Sequence, residues 1–169
     1  MKKVMLAIAL FLIPIVSFAK ADMNYEMEKV FAKHPMFRTV EWFITDAQEL
    51  GVNTLGSCYI VNNICMKIGL LETISPKHLE YVMTHEYAGV IWWNNLSPEG
   101  RRMYERVYKA EPACITEYSC TEAAQNYEEW MTFLMLREQV PTLNKNWKEI
   151  EAKSRMHKAF FDLHFLFTN

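Results

Sequence analysis

The stretch from Cys58 to Ile68 constrains this chain most. Cys58-Tyr59-Ile60-Val61 and Ile64-Cys65-Met66-Lys67-Ile68 are rich in β-branched and aromatic residues, and Asn62-Asn63 stands between them. A two-residue hairpin turn needs positive φ at both central positions, which asparagine tolerates better than most side-chain-bearing residues. The run therefore predicts an antiparallel β-hairpin with a cysteine on each strand. The rest of the chain is punctuated for helices. Met23, Met27, Val30 and Phe31 recur at helical spacing over 23–34. Val40, Trp42, Phe43, Ile44 and Leu50 predict a second helix over 40–50, stopped by Gly51.

Two helix starts carry the same signature. Ser75-Pro76 and Ser97-Pro98-Glu99 each place an N-capping hydroxyl before a proline at the first helical position. The helices are expected to run to about Trp93 and Tyr108. Thr121 caps another that reaches about Glu138, and Pro141 breaks it. A last helix carries Trp147, Ile150, Phe160, Phe161, Leu163 and Phe165. The expected fold class is α+β: a small, mostly helical domain with a short antiparallel hairpin or sheet.

The first residues read as an address. Lys2 and Lys3 precede the apolar run Val4 to Val16, and small residues follow at Ser17 and Ala19. That is the pattern of a secretory signal peptide over 1–19, followed by a single domain over 20–169. The run is too short for a permanent span, which takes about 20 apolar residues. The expectation is an exported chain, periplasmic or secreted, with no stable membrane anchor. Without Lys2 and Lys3, sixteen of the 18 cations face 20 carboxylates. That leaves no basic field for nucleic acid. A composition of 51% hydrophobic and 22% charged residues excludes a disordered chain.

Four cysteines, Cys58, Cys65, Cys114 and Cys120, lie past the leader. An even count in an oxidising compartment reads as two disulfides, and the local pairs Cys58–Cys65 and Cys114–Cys120 are favoured among three pairings. The competing reading is a zinc site, but no CxxC or CxxxC pair occurs.

One constellation carries chemistry. The helix that starts at Ser75 contains Thr84-His85-Glu86-Tyr87-Ala88-Gly89-Val90. Glu86 falls inside the apolar stripe of that helix, between Met83 and Val90, where a charge is partly buried and needs a partner. His-Glu is also the first half of the H-E-x-x-H zinc-peptidase motif, in which two histidines at i and i+4 hold the metal. Here the i+4 position is Gly89. Downstream, Tyr118 lies seven residues before Gln125, and Glu129 follows four residues after it.

On His85-Glu86 and this downstream spacing, residues 56–138 resemble the metallopeptidase domain of the anthrax lethal factor-like family, which includes Pro-Pro endopeptidases. The resemblance implies a zincin-like domain. It assigns His85 to the first zinc ligand, Glu86 to the general base, Tyr118 to the oxyanion-holding tyrosine and Glu129 to the later glutamate behind the ligands. It also puts Gly89 and Gln125 at the former positions of the second and third ligands, and Glu128 where the family carries alanine. Glycine offers no donor, and a neutral carbonyl oxygen is a poorer zinc ligand than a carboxylate.

The expectation is therefore a degenerate metallopeptidase-like domain with no cofactor: a pseudo-enzyme that binds a peptide or protein. Zinc enters only if the site is rebuilt, with Glu122, Glu128, His157 or His164 as the available replacements. His78 sits two turns before His85, about 10 Å away by helix rise, too far to share a metal. The alternatives are an active secreted zinc metallopeptidase with a rearranged site, or a cell-wall hydrolase in which Glu86 and Glu129 work as a carboxylate pair. Trp92 and Trp93 read as packing and groove rim.

Overall fold

The computed structural model describes residues 20–51, 53–111, 113–136 and 147–165. The expected leader at 1–19 and the break at Pro141 lie outside the described residues. The elements run α1 (Lys20–Lys33), a 3-10 turn (Pro35–Thr39), β1 (Glu41–Thr45), α2 (Ala47–Leu50), β2 (Gly56–Val61) and β3 (Ile64–Leu71). Then come α3 (Pro76–Val90), a π-helical turn (Ile91–Asn95), α4 (Pro98–Ala110), a 3-10 turn (Tyr118–Cys120), α5 (Ala123–Met135), α6 (Trp147–Lys153) and α7 (Arg155–Phe165). The architecture is α+β and mostly helical.

The hairpin forms as its sequence requires. Asn62 and Asn63 adopt φ of 53° and 62°, and β2 pairs antiparallel with β3. The disulfide Cys58–Cys65 ties its two strands, and Cys114–Cys120 closes the loop before α5. Both pairs are the local ones, and they suit an oxidising environment. Asn94 anchors the hairpin from outside. Its Oδ1 accepts from Cys65 N at 2.7 Å, and its Nδ2 donates to Cys65 O at 2.9 Å.

The predicted helix over 40–50 is corrected. Residues 41–45 form a strand that pairs parallel with β3, Glu41 opposite Lys67 and Thr45 opposite Leu71. Only Ala47–Leu50 is helical, capped by Asp46, whose carboxylate accepts from Gln48 N and Glu49 N. The sheet is thus three-stranded, in the order β1-β3-β2. Two smaller differences follow from local hydrogen bonding. Thr121 donates its hydroxyl back to Tyr118 O, so Glu122 becomes the residue that precedes α5. The predicted last helix is split into α6 and α7 at Ser154, which donates its hydroxyl to Ile150 O.

Two apolar cores meet along α3 and α5. The first packs α1, the sheet and one face of α3, with Phe37, Ile68, Leu70, Leu79 and Met83 fully buried. The second packs α4, α5 and α7 around Tyr104, Tyr127, Trp130, Phe160 and Phe161. Burying aromatic side chains of this size contributes roughly 1.5–3 kcal/mol each. The residues of interest lie at the seam between the two. No described helix is long and apolar enough to cross a membrane.

Candidate functional site

Tyr81, His85 and Gly89 recur every four residues along α3, so they line one face of it. That face looks onto Glu128 and Glu129 of α5. His85 Nε2 lies 3.3 Å from Glu128 Oε2, and His85 Nδ1 lies 3.2 Å from Glu129 Oε1. Side-chain exposures are 12% for His85, 9% for Glu128 and 5% for Glu129, so the three form one buried ionic cluster. The Nδ1 contact is off the hydrogen-bonding direction, and the attraction there is ionic. Tyr81 donates its hydroxyl to the other oxygen of Glu129 at 2.7 Å. Burial works against the imidazolium. The Glu128 and Glu129 carboxylates, helped by Glu86, outweigh it and raise His85 to about 10.

Glu86 points the other way, towards the sheet. A Cβ at Gly56 would lie 2.7 Å from Glu86 Cγ, so the absence of a side chain at 56 admits the glutamate. Among the described residues Glu86 has no hydrogen-bond or ion-pair partner. Burial pushes its carboxyl up to about 7; His85 opposes that shift and Glu128 adds to it.

Tyr118 reaches the cluster from the loop closed by Cys114–Cys120. Its ring centroid is 5.9 Å from that of His85, and the residue is 53% exposed, so it forms a rim. Burial raises its phenol, and Glu128, Glu86, Glu122 and Glu129 raise it further. Tyr118, His85, Glu86, Glu129 and Tyr81, with Gly56 at the start of β2 and Asn53, Thr54 and Leu55 just before it, line a cleft of about 310 Å³.

The structure therefore brings together His85, Glu86, Tyr118 and Glu129. Gln125 sits one turn before Glu128 and Glu129 on α5, and its Oε1 is buried without a hydrogen-bond partner among the described residues. It does not line the cleft. Glu128 and Tyr81 were not among the expected central residues. Tyr81 carried a usable signal, four residues before His85 on the same helix.

Position 89 explains the place of Glu128. A Cβ there would lie 3.1 Å from Glu128 Oε1 and 3.6 Å from its Cδ. The Glu128 carboxylate thus takes up the space into which a side chain at 89 would project. His157 and His164, considered as replacement ligands, lie on α7 against the second core. His157 is bound to Glu111 and Asn126, and His164 packs on Phe160.

The arrangement does not fit a catalytic zinc. Such a site takes three protein ligands, with neutral imidazole nitrogens as donors. Here a single histidine has a carboxylate against each ring nitrogen, and its second proton is strongly held. Among the described residues no group of three or more histidine, cysteine or acidic side chains is placed to hold a metal. No protein-family model, no curated protein and no solved structure matches this chain.

Proposed function

We propose that this chain is an exported, zincin-derived pseudo-enzyme that binds an extended peptide, or an extended segment of a protein, without cutting it. The observation that carries this reading is the placement of Glu128. Its carboxylate fills the space beside Gly89 and faces His85 Nε2, so an ion pair stands where the resemblance would put a metal. Without a metal nothing lowers the pKa of an attacking water towards about 7.

What remains is a recognition surface. β2 is an outer strand of the sheet, its first residue Gly56 lines the cleft together with Asn53, Thr54 and Leu55 just before it, and Leu55 is 45% exposed. An outer strand beside a cleft suits strand addition, in which main-chain hydrogen bonds give affinity and the cleft selects side chains. Export agrees with the leader pattern and the two disulfides.

A hydrolase reading has one feature in its favour: among the described residues Glu86 is a carboxyl without a hydrogen-bond or ion-pair partner, and burial pushes it up to about 7. Its intended second carboxylate, Glu129, is already engaged by Tyr81 and His85. Incubating the purified chain with an immobilised array of extended decapeptides, and with cell-wall fragments, separates the readings. Retention of some peptides with no new mass-spectrometric fragments is expected, with amide chemical-shift changes confined to 53–61 and Tyr118. Fragment release by the wild type that is lost in Glu86→Gln would replace the binding reading with the enzymatic one.

A further inference from the structure

The cleft has a charge imbalance that its own residues leave open. Glu86 and Glu129 line it, Glu128 lies directly behind, and among the described residues His85 is the only cation there, with no lysine or arginine in the lining. His85 is already committed to Glu128 and Glu129. Glu86 is different. It is half-buried, lines the cleft and has no hydrogen-bond or ion-pair partner among the described residues, although carboxyls drawn out of water are usually paired. The four glutamates acting on Tyr118 show that the negative field extends to the rim.

We propose that the cleft recognises its peptide through a basic side chain, a lysine or arginine, whose cation enters past Tyr118 and lodges against Glu86. The proposal rests on the peptide-binding reading above and names the residue class that reading leaves open. The chemistry is specific. A cation supplies the charge-assisted hydrogen bond that Glu86 lacks, and it balances the excess of carboxylates over the one imidazolium. The side chain's methylene stem would run along Val82 and the ring of Tyr118, while the peptide backbone lies along β2. An acidic or apolar side chain in the same place would leave Glu86 unpaired and desolvated, so discrimination is built into the cleft.

The test uses N-acetylated, C-amidated decapeptides chosen from those the array retains, each remade with lysine, arginine, norleucine or glutamate at the position facing the cleft. Affinities are measured by calorimetry on the wild-type chain and on Glu86→Gln. Lysine or arginine peptides are expected to bind at least about ten-fold tighter than their norleucine counterparts. In Glu86→Gln that preference shrinks several-fold. Equal affinity for lysine and norleucine peptides on the wild type, or a preference for glutamate, overturns this proposal and leaves peptide binding intact. Retention of no peptide at all overturns both. The wild-type comparison needs no variant, so a folding defect in Glu86→Gln does not blunt it.

Discussion

His85→Ala is expected to destabilise the chain by about 3–5 kcal/mol, the range found when one partner is removed from a buried ion pair. The substitution removes more than a contact. It leaves Glu128 and Glu129, neighbours on α5 and both nearly buried, facing each other with no cation between them. Adding Glu128→Gln to His85→Ala should recover a substantial part of the loss, because it removes one of the two stranded charges. Urea unfolding followed by circular dichroism reads both effects.

The same cluster fixes a pH dependence. His85 is raised from 6.5 to about 10, so its contribution is fully present below pH 6.5 and is lost as pH rises through about 10. Glu86 is raised from 4.5 to about 7, so its contribution is present below pH 4.5 and is lost as pH rises through about 7. Both act in one direction, and the site favours the folded state less as the solution becomes alkaline. In His85→Ala the decline moves to lower pH, because the stranded carboxylates resist ionisation. An unchanged alkaline limb in that variant would show that His85 is not an imidazolium in the folded chain at neutral pH.

The second large effect lies away from the cleft, where His157→Leu is expected to destabilise by about 3 kcal/mol. His157 is completely buried on α7. Its Nδ1 lies 3.0 Å from Glu111 Oε2, and its Nε2 lies 2.9 Å from Asn126 Oδ1. Asn126 Nδ2 donates to Ala113 O and Ser119 O, and Tyr104 donates to Asn126 Oδ1. The histidine ring also stacks on Trp130, with centroids 5.1 Å apart. One side chain thus fastens α7 to α4, to α5 and, through Asn126, to the loop that carries Tyr118. Leucine fills much of the volume, but it leaves Glu111 and Asn126 short of a partner. The amide signals of 113–120 should broaden along with the loss of stability, since that loop hangs on Asn126. A variant as stable as the wild type would show that the network is incidental to the packing of α7.

Local chemistry was legible where the partners were close in sequence. Asn62-Asn63 declared the hairpin because the turn needs nothing beyond its own two residues. Ser97 declared α4, and its hydroxyl accepts from Gly100 N as the motif implies. β1 was hidden for the opposite reason. Val40 to Ile44 is mostly apolar, interrupted only by Glu41, with no turn signal, and it becomes a strand only through parallel pairing with β3 some 26 residues further on. Ser75 gave the correct helix start, yet its hydroxyl meets His78 Nδ1 rather than the helix backbone.

The site divides along the same line. His85, Glu86, Tyr118 and Glu129 were named through the family resemblance, and in the structure they line one cleft. Glu128 was read as a departure from the family pattern, and Gly89 as a separate loss. In three dimensions the two positions share one volume: Gly89 carries no side chain, and the Glu128 carboxylate occupies the space beside it. Sequence spacing cannot show that two positions 39 residues apart share one volume.

Zinc titration of the purified, metal-free chain tests the central claim most directly, read by calorimetry with a metal-free His85→Ala control. The ion pair between His85 and Glu128 predicts no stoichiometric uptake at micromolar zinc, and the same trace for the variant. Uptake of one zinc per chain that disappears in His85→Ala would contradict the account and return the cleft to metal chemistry.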